Sequence, residues 1–174
     1  MEKLYSSIIG SPVFDDHSTR PFTTVKGVVL DPERNGKVLA FVVNVNKNKI
    51  ISPVDVISWG DVIKVHARDA VTDGDDVLRV AEVQKDGRYF FGNRVEAEGE
   101  GYIGKVVDMA IDSKTLDLRK IFVAKSVLGM IRYENRIIPA KNILEVLCDK
   151  IIVKNGMKTV KEESEISVKD MAMS

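Results

Sequence analysis

The chain has one cysteine, two histidines, one tryptophan and no excess of either charge. The lone Cys148 excludes an internal disulfide framework and a cysteine-rich zinc site. Its place in VLCDKIIV suits a buried small hydrophobe. Lys and Arg total 26, and so do Asp and Glu, so no global basicity advertises nucleic acid. Arg119 and Lys120, with the more scattered Arg132, Arg136 and Lys141, are the one hint of a local basic patch. Nowhere do about 18 apolar residues run together, so no membrane-spanning helix is expected. The N-terminus MEKLYSSIIG has no long apolar run and no small-residue cleavage site. A secretory leader is therefore not expected, and the expectation is a cytoplasmic protein. No Gly-rich loop leads from a strand into a helix, so no nucleotide fingerprint is present.

What the chain does have is an internal repeat. Val25 to Val43 lies on Val106 to Ala124 without a gap, pairing Asp31 with Asp112 and Phe41 with Phe122 at a constant offset of 81. Upstream, Gly10 and Val13 match Gly92 and Val95 at an offset of 82. Downstream, Ile51, Pro53 and Ile57 match Ile137, Pro139 and Ile143 at 86. A solenoid would repeat at about 20–50 residues, so this is a duplicated small domain. A chain of 174 residues accommodates two such units. Each is near the lower limit for burying its own core, so the two are expected to lean on each other.

The segments between turns are short and rich in Val and Ile. Continuous apolar runs such as Val38–Val43 and Ile151–Val153 read as buried strands. Asp31-Pro32-Glu33-Arg34-Asn35-Gly36 separates two of them as a hairpin, with Asn-Gly tolerating positive φ. The equivalent Asp112–Asp117 lacks Gly and is expected to turn less tightly. Between the repeats, Asp75–Lys85 predicts a short linker helix with Val77, Leu78 and Ala81, and less firmly Val80, on its apolar face. Asp73 or Asp75 is expected to cap its start and Gly87 to end it. After Lys154 the chain turns polar and charged, as in a flexible tail or a loosely docked helix.

Few residues offer chemistry. Asp15-Asp16-His17-Ser18 holds the residue types of a hydrolase triad, but adjacency in a loop does not orient them around one proton path. His66 reads as a structural histidine. Asp73, Asp75 and Asp76 lack the spacing of a calcium loop. Glu96, Glu98 and Glu100 alternate as on a solvated face or in a loop. These patterns predict no enzyme, no cofactor and no metal site.

The repeated pattern resembles the PRC-barrel family. In the second copy the residues that carry the resemblance are Gly92 and Val95, then Ile103-Gly104-Lys105-Val106-Val107-Asp108. Ile111-Asp112, Ile121-Phe122-Val123, Ile138-Pro139 and Asp149-Lys150-Ile151-Ile152-Val153 follow. The first copy keeps Gly10, Val13, Asp31 and Pro53 but has Pro21-Phe22-Thr23-Thr24-Val25 in place of Tyr102–Val106. The resemblance implies a mainly β chain of two tandem PRC-like β-barrels joined by a short linker helix. Its division would be 1–72 for the first barrel, 73–87 for the linker, 88–154 for the second barrel and 155–174 for the tail. Within that pattern Gly104 would allow a bend or a close backbone approach. Asp31 and Asp112 would bond their own turns, and Pro53 and Pro139 would sit at an edge or at the start of a strand.

Family members include the cytoplasmic region of the photosynthetic reaction-centre H subunit and the C-terminal domain of the ribosome maturation factor RimM. They dock to other macromolecules. The resemblance therefore implies a non-enzymatic adaptor with a protein partner. The alternative is an RNA-linked role in ribosome maturation with weak RNA contact. The candidate contact residues are Trp59 and a stretch the second copy gains, with Leu128, Met130, Ile131, Arg132 and Tyr133. That stretch lies in an elongated hairpin and could face a partner or the other barrel. Trp59 aligns with Glu145, and Phe41 and Phe122 are expected in equivalent core sites. Oligomeric state is left open.

Overall fold

The computed structural model describes residues 1–126 and 133–155, with Tyr133 and Glu134 described by backbone alone. The chain is mainly β and forms several sheets. It runs β1 (Glu2–Leu4), α1 (Tyr5–Ile8), β2 (Pro12–Asp15), β3 (Thr23–Thr24), β4 (Gly27–Asp31), β5 (Lys37–Asn44), β6 (Lys49–Ile51), β7 (Val56–Trp59), β8 (Ile63–Val65) and β9 (Val71–Asp73). Then come α2 (Leu78–Asp86), β10 (Arg94–Ala97), β11 (Gly101–Asp112), β12 (Leu118–Ser126), β13 (Tyr133–Pro139), β14 (Ile143–Val146) and β15 (Lys150–Val153).

The repeat recurs strand by strand. β2 pairs in parallel with β8, Val13 opposite Ile63, just as β10 pairs in parallel with β15, Val95 opposite Ile151. β4–β5–β6 form an antiparallel run, and so do β11–β12–β13. β3 and β4 together stand for the single long β11. Even single hydrogen bonds recur. The Gly10 amide donates to Val25 O at 2.8 Å and the Gly92 amide to Val106 O at 2.9 Å. Val25 N donates to Ser11 O at 2.9 Å, and Val106 N to Asn93 O at 3.0 Å. Gly10 and Gly92 both hold positive φ, 87° and 77°, which a side chain would resist.

Register corrects the sequence alignment by one residue after the hairpin. Leu30 pairs with Val38 and Ile111 with Leu118, so the true offset there is 80. The first turn holds one more residue than the second, and the gapless alignment hid it. Phe41, fully buried, therefore corresponds to Ile121, also fully buried, and not to Phe122. Phe122 is only half-buried and lies on the opposite face of β12. The slip carries on. Trp59 pairs with Ile63 as Val146 pairs with Ile151, so the counterpart of Trp59 is Val146 and not Glu145. Pro53 opens a 3-10 turn after β6, whereas Pro139 closes β13 and precedes one.

The turn chemistry follows the sequence. Asp31 accepts from Glu33 N at 3.0 Å, and Asp112 accepts from Lys114 N and Thr115 N at 2.9 Å each. Asn35 and Gly36 take φ of 53° and 71°. The second turn solves the same problem without Gly by placing Leu116 at φ 62°. The two turns also bond each other: Leu118 N donates to Gly36 O at 3.2 Å and Val38 N to Leu116 O at 2.8 Å. A Cβ on Gly36 would lie 2.6 Å from Leu118 Cβ. Gly104 likewise permits a close approach, since a Cβ there would meet Ala124 O at 2.5 Å.

One apolar core runs through both repeats, from Ile8, Phe41 and Ile63 to Met109, Ile121 and Ile151. A second, smaller core holds α2 against its sheet, Val80 and Val83 packing with Val29, Ala40 and Ile50. The apolar face of α2 matches expectation at Val77 and Val80, which pack on the sheet, and differs at Leu78. Leu78 is 76% exposed, and Val80 and Val83 do the packing. No side chain caps the helix. Asp73 instead pairs with Lys49 at 2.8 Å, and Asp75 accepts from Asn48 at 3.1 Å. Gly87 ends the helix with φ 66°, as expected. Cys148 is exposed rather than buried, because it stands in the turn between β14 and β15.

Candidate functional site

Among the sequence-derived contact residues, Leu128, Met130, Ile131 and Arg132 lie outside the described residues, and so does the side chain of Tyr133. Trp59 is half-buried, and its ring meets Phe41 edge-on at 4.9 Å and 80°. That geometry favours the aromatic quadrupoles and spends much of the indole on the core. The structure therefore sets Trp59 as a cover over Phe41.

An apolar opening lies elsewhere. A cleft of about 430 Å³ lies between the β4–β5 hairpin, α2 and the segment that follows α2. Its floor is Val28, Leu30 and Met109. Its aromatic wall is Tyr5 and Phe91, whose rings tilt together at 4.9 Å. Tyr89 and Phe91 are 58% and 48% exposed, and Val45 beside them is 68% exposed. Asn48, Gln84 and Arg88 supply a polar rim. Burial pushes the Tyr5 phenol above its ordinary pKa, so the group stays neutral. Gln84 and Asn48 are already bonded to each other in both directions, at 2.9 and 3.0 Å, which fixes one edge of the cleft.

Arg88 joins the cleft to an ionic network. It bonds Glu33 at 2.9 Å, and Glu33 also receives Arg79 at 3.0 Å. Arg79 reaches the buried Asp31 with two bonds of 2.6 and 2.9 Å. The Arg79 guanidinium holds the Asp31 carboxyl below its usual range, and Arg88 does the same for Glu33. This network ties α2 and the start of the aromatic segment to the first turn. The cleft walls are thus preset by folding.

The histidines show no nucleophile geometry. His66 Nδ1 lies 3.1 Å from Asp16 Oδ2, with the imidazole largely in solvent. Ser18 donates its hydroxyl to Arg20 O at 2.9 Å. The His17 amide donates to Asp15 at 3.0 Å, and Asp15 is also held by Arg68 at 2.9 Å. These bonds close a loop. Glu96 pairs with Lys150 at 3.1 Å and Glu100 with Arg136 at 2.9 Å, so these two glutamates belong to separate ion pairs. Among the described residues no three metal-binding side chains converge. No described helix is long and apolar enough to cross a membrane.

The sequence reading missed Tyr5, Tyr89 and Phe91. A signal was present: Tyr89-Phe90-Phe91 is a run of three aromatics in a chain that is only 6% aromatic. Compared with models of protein families and with curated proteins, the chain matches none.

Proposed function

We propose that this chain is a non-enzymatic adaptor built from two tandem PRC-like barrels, and that it binds an apolar segment of a protein partner. The observation that carries this reading is the aromatic cleft of Tyr5, Tyr89 and Phe91. It has an apolar centre and a rim of Asn48, Gln84 and Arg88. A protein contact has that make-up, with aromatics at its centre and polar groups around it. The duplicated pairing of β2 with β8 and β10 with β15 supports the tandem scaffold. The PRC resemblance supports docking over catalysis. Residues Leu128 to Tyr133 are a second contact element in this proposal.

The test is a pull-down from the native host, run with the full chain and with two double variants, Tyr89→Ala/Phe91→Ala and Met130→Ala/Tyr133→Ala. One stoichiometric protein retained by the full chain and lost with the first variant supports the reading. Affinity for ribosomal RNA fragments, measured against salt, runs beside it. Contacts to several phosphates would show as a steep fall in affinity with salt. Tight, sequence-selective RNA binding indifferent to both variants would replace the adaptor with the ribosome-maturation alternative.

A further inference from the structure

The edge of β11 that faces away from β12 is fully paired. β10 lies along the start of it, and β1 lies along its end with Lys3 opposite Ile111 and Leu4 opposite Ala110. At the offset of 81, the counterparts of Ile111 and Ala110 are Leu30 and Val29. The first repeat copies the first contact: β3 pairs with β2, and Val25 bonds Gly10 and Ser11. Among the described residues no strand copies the second, and β4 ends its sheet. The backbone there is turned outward. Ser113 N donates to Met1 O at 2.9 Å, and every second residue of an antiparallel strand faces the same neighbour, so Ile111 turns its N–H and C=O to β1. Asp31 O accepts from Gly36 N within its own hairpin at 2.9 Å, so Leu30 before it turns its N–H and C=O to the outer edge. Val38, opposite Leu30, donates its N–H to Leu116 O instead.

The aromatic cleft follows this edge. Gly27, Val28, Val29 and Leu30 all line it, although one face of a strand shows only alternate residues. Val29 and Leu30 keep 9% and 6% exposure, where Ala110 and Ile111 under β1 keep none. The opening stops at Asp31, which is fully buried under Arg79. Gly27 to Leu30 also carry none of the Lys or Pro residues that blunt an open edge. We propose that, given the adaptor reading of the cleft, the partner segment enters it as an extended strand and pairs antiparallel with β4 at Val28–Leu30. A strand added to an edge is held by main-chain bonds, and alternate side chains select it. β1 is the template for that occupant. Its Leu4 shares a groove with Phe122, and the counterpart of Phe122 is Val42. The segment therefore places an apolar side chain opposite Val29, against Val42, and presents its main chain to Leu30. Tyr89 and Phe91 flank it.

The test pans a phage-displayed library of random heptapeptides against the full chain and against Tyr89→Ala/Phe91→Ala. Both rings are about half in solvent, so the variant probes the cleft and not the core. Peptides that need the two rings are then synthesised unmodified and with N-methyl groups on one or the other alternate set of residues. One methylated set is expected to bind about tenfold more weakly, because its N–H groups would bond β4, and the other set much as the parent does. Hydrogen exchange at the Leu30 amide should slow when the unmodified peptide is added. Ring-dependent binding with equal affinities for the two methylated sets would overturn strand addition and leave the adaptor reading of the cleft standing. A library that yields no ring-dependent peptide would overturn both. A dimer in sedimentation whose Leu30 amide is protected without peptide would overturn the proposal by assigning the edge to a second copy.

Discussion

The two repeats share a strand plan but differ in what covers them. The first buries its β4–β5–β6 face under α2 and lines the edge of β6 with β9. The second, in its described residues, leaves Ile137 and Val107 39% and 51% exposed on the matching face. The turns differ in the same direction. Asp31 is fully buried and gripped by Arg79, while Asp112 is partly buried, holding its own turn and facing Arg119 at 3.4 Å. A duplicated fold can thus keep its hydrogen-bond plan while one copy carries the helix-anchoring network and the other, in its described residues, leaves apolar side chains exposed.

The largest expected contrast lies at the phenylalanines that the sequence aligned. Phe41→Ala should cost about 3–5 kcal/mol, because the ring is fully buried and braces Trp59. Phe122→Ala should cost only about 1 kcal/mol, since its ring is half in solvent. Denaturant melts of the two variants measure both. Equal losses would show that Phe122 is as deeply packed as Phe41, and would restore the gapless alignment.

That slip shows what the sequence could and could not reveal. Gly10 and Gly92, the turn aspartates, the Asn35-Gly36 hairpin and the Gly87 helix end were legible, because each answers a local backbone need. The one-residue shift in β12 was not. Val38–Val43 and Ile121–Ala124 are continuous apolar runs, and without alternation they name no face. Only cross-strand partners decide it. The packing of α2 was legible at Val77 and Val80 and missed at Val83 for a related reason. The helix begins at Leu78, later than predicted, and its buried face is set by a sheet distant in sequence. The cleft was illegible because Tyr5 and Phe91 meet only through the fold.

A second contrast concerns the turn carboxylates. Asp31→Ala should cost about 3 kcal/mol, because it strands Arg79 and opens the α2 anchor. Asp112→Ala should cost less, since the arginine it leaves, Arg119, is 46% exposed and water can solvate it. Both carboxyls titrate below their ordinary values, Asp31 through Arg79 and Asp112 through the Thr115 and Lys114 amides. A depressed folded pKa gives stability that is present above the unfolded value, near pH 4, and lost as pH falls through the folded one. Melts between pH 6 and pH 2 should therefore show stability declining below about pH 4. The decline should be shallower in Asp31→Ala. A variant as acid-sensitive as the parent would place the titrating group elsewhere.

The smallest contrast is between the left-handed residues of the two turns. Gly36→Ala must place a Cβ at φ 71° and against Leu118. The left-handed penalty and the local shift together predict a loss of about 2 kcal/mol. Leu116 already carries the left-handed penalty in the parent, at φ 62°. Leu116→Ala keeps that penalty on both sides of the comparison and removes only part of a half-buried side chain. Its loss should be about 1 kcal/mol. The pair separates backbone strain from packing at the one place where the two repeats bond turn to turn. If Leu116→Ala proves the costlier, the contact between the turns rests on the leucine side chain, and the close approach at Gly36 is incidental to it.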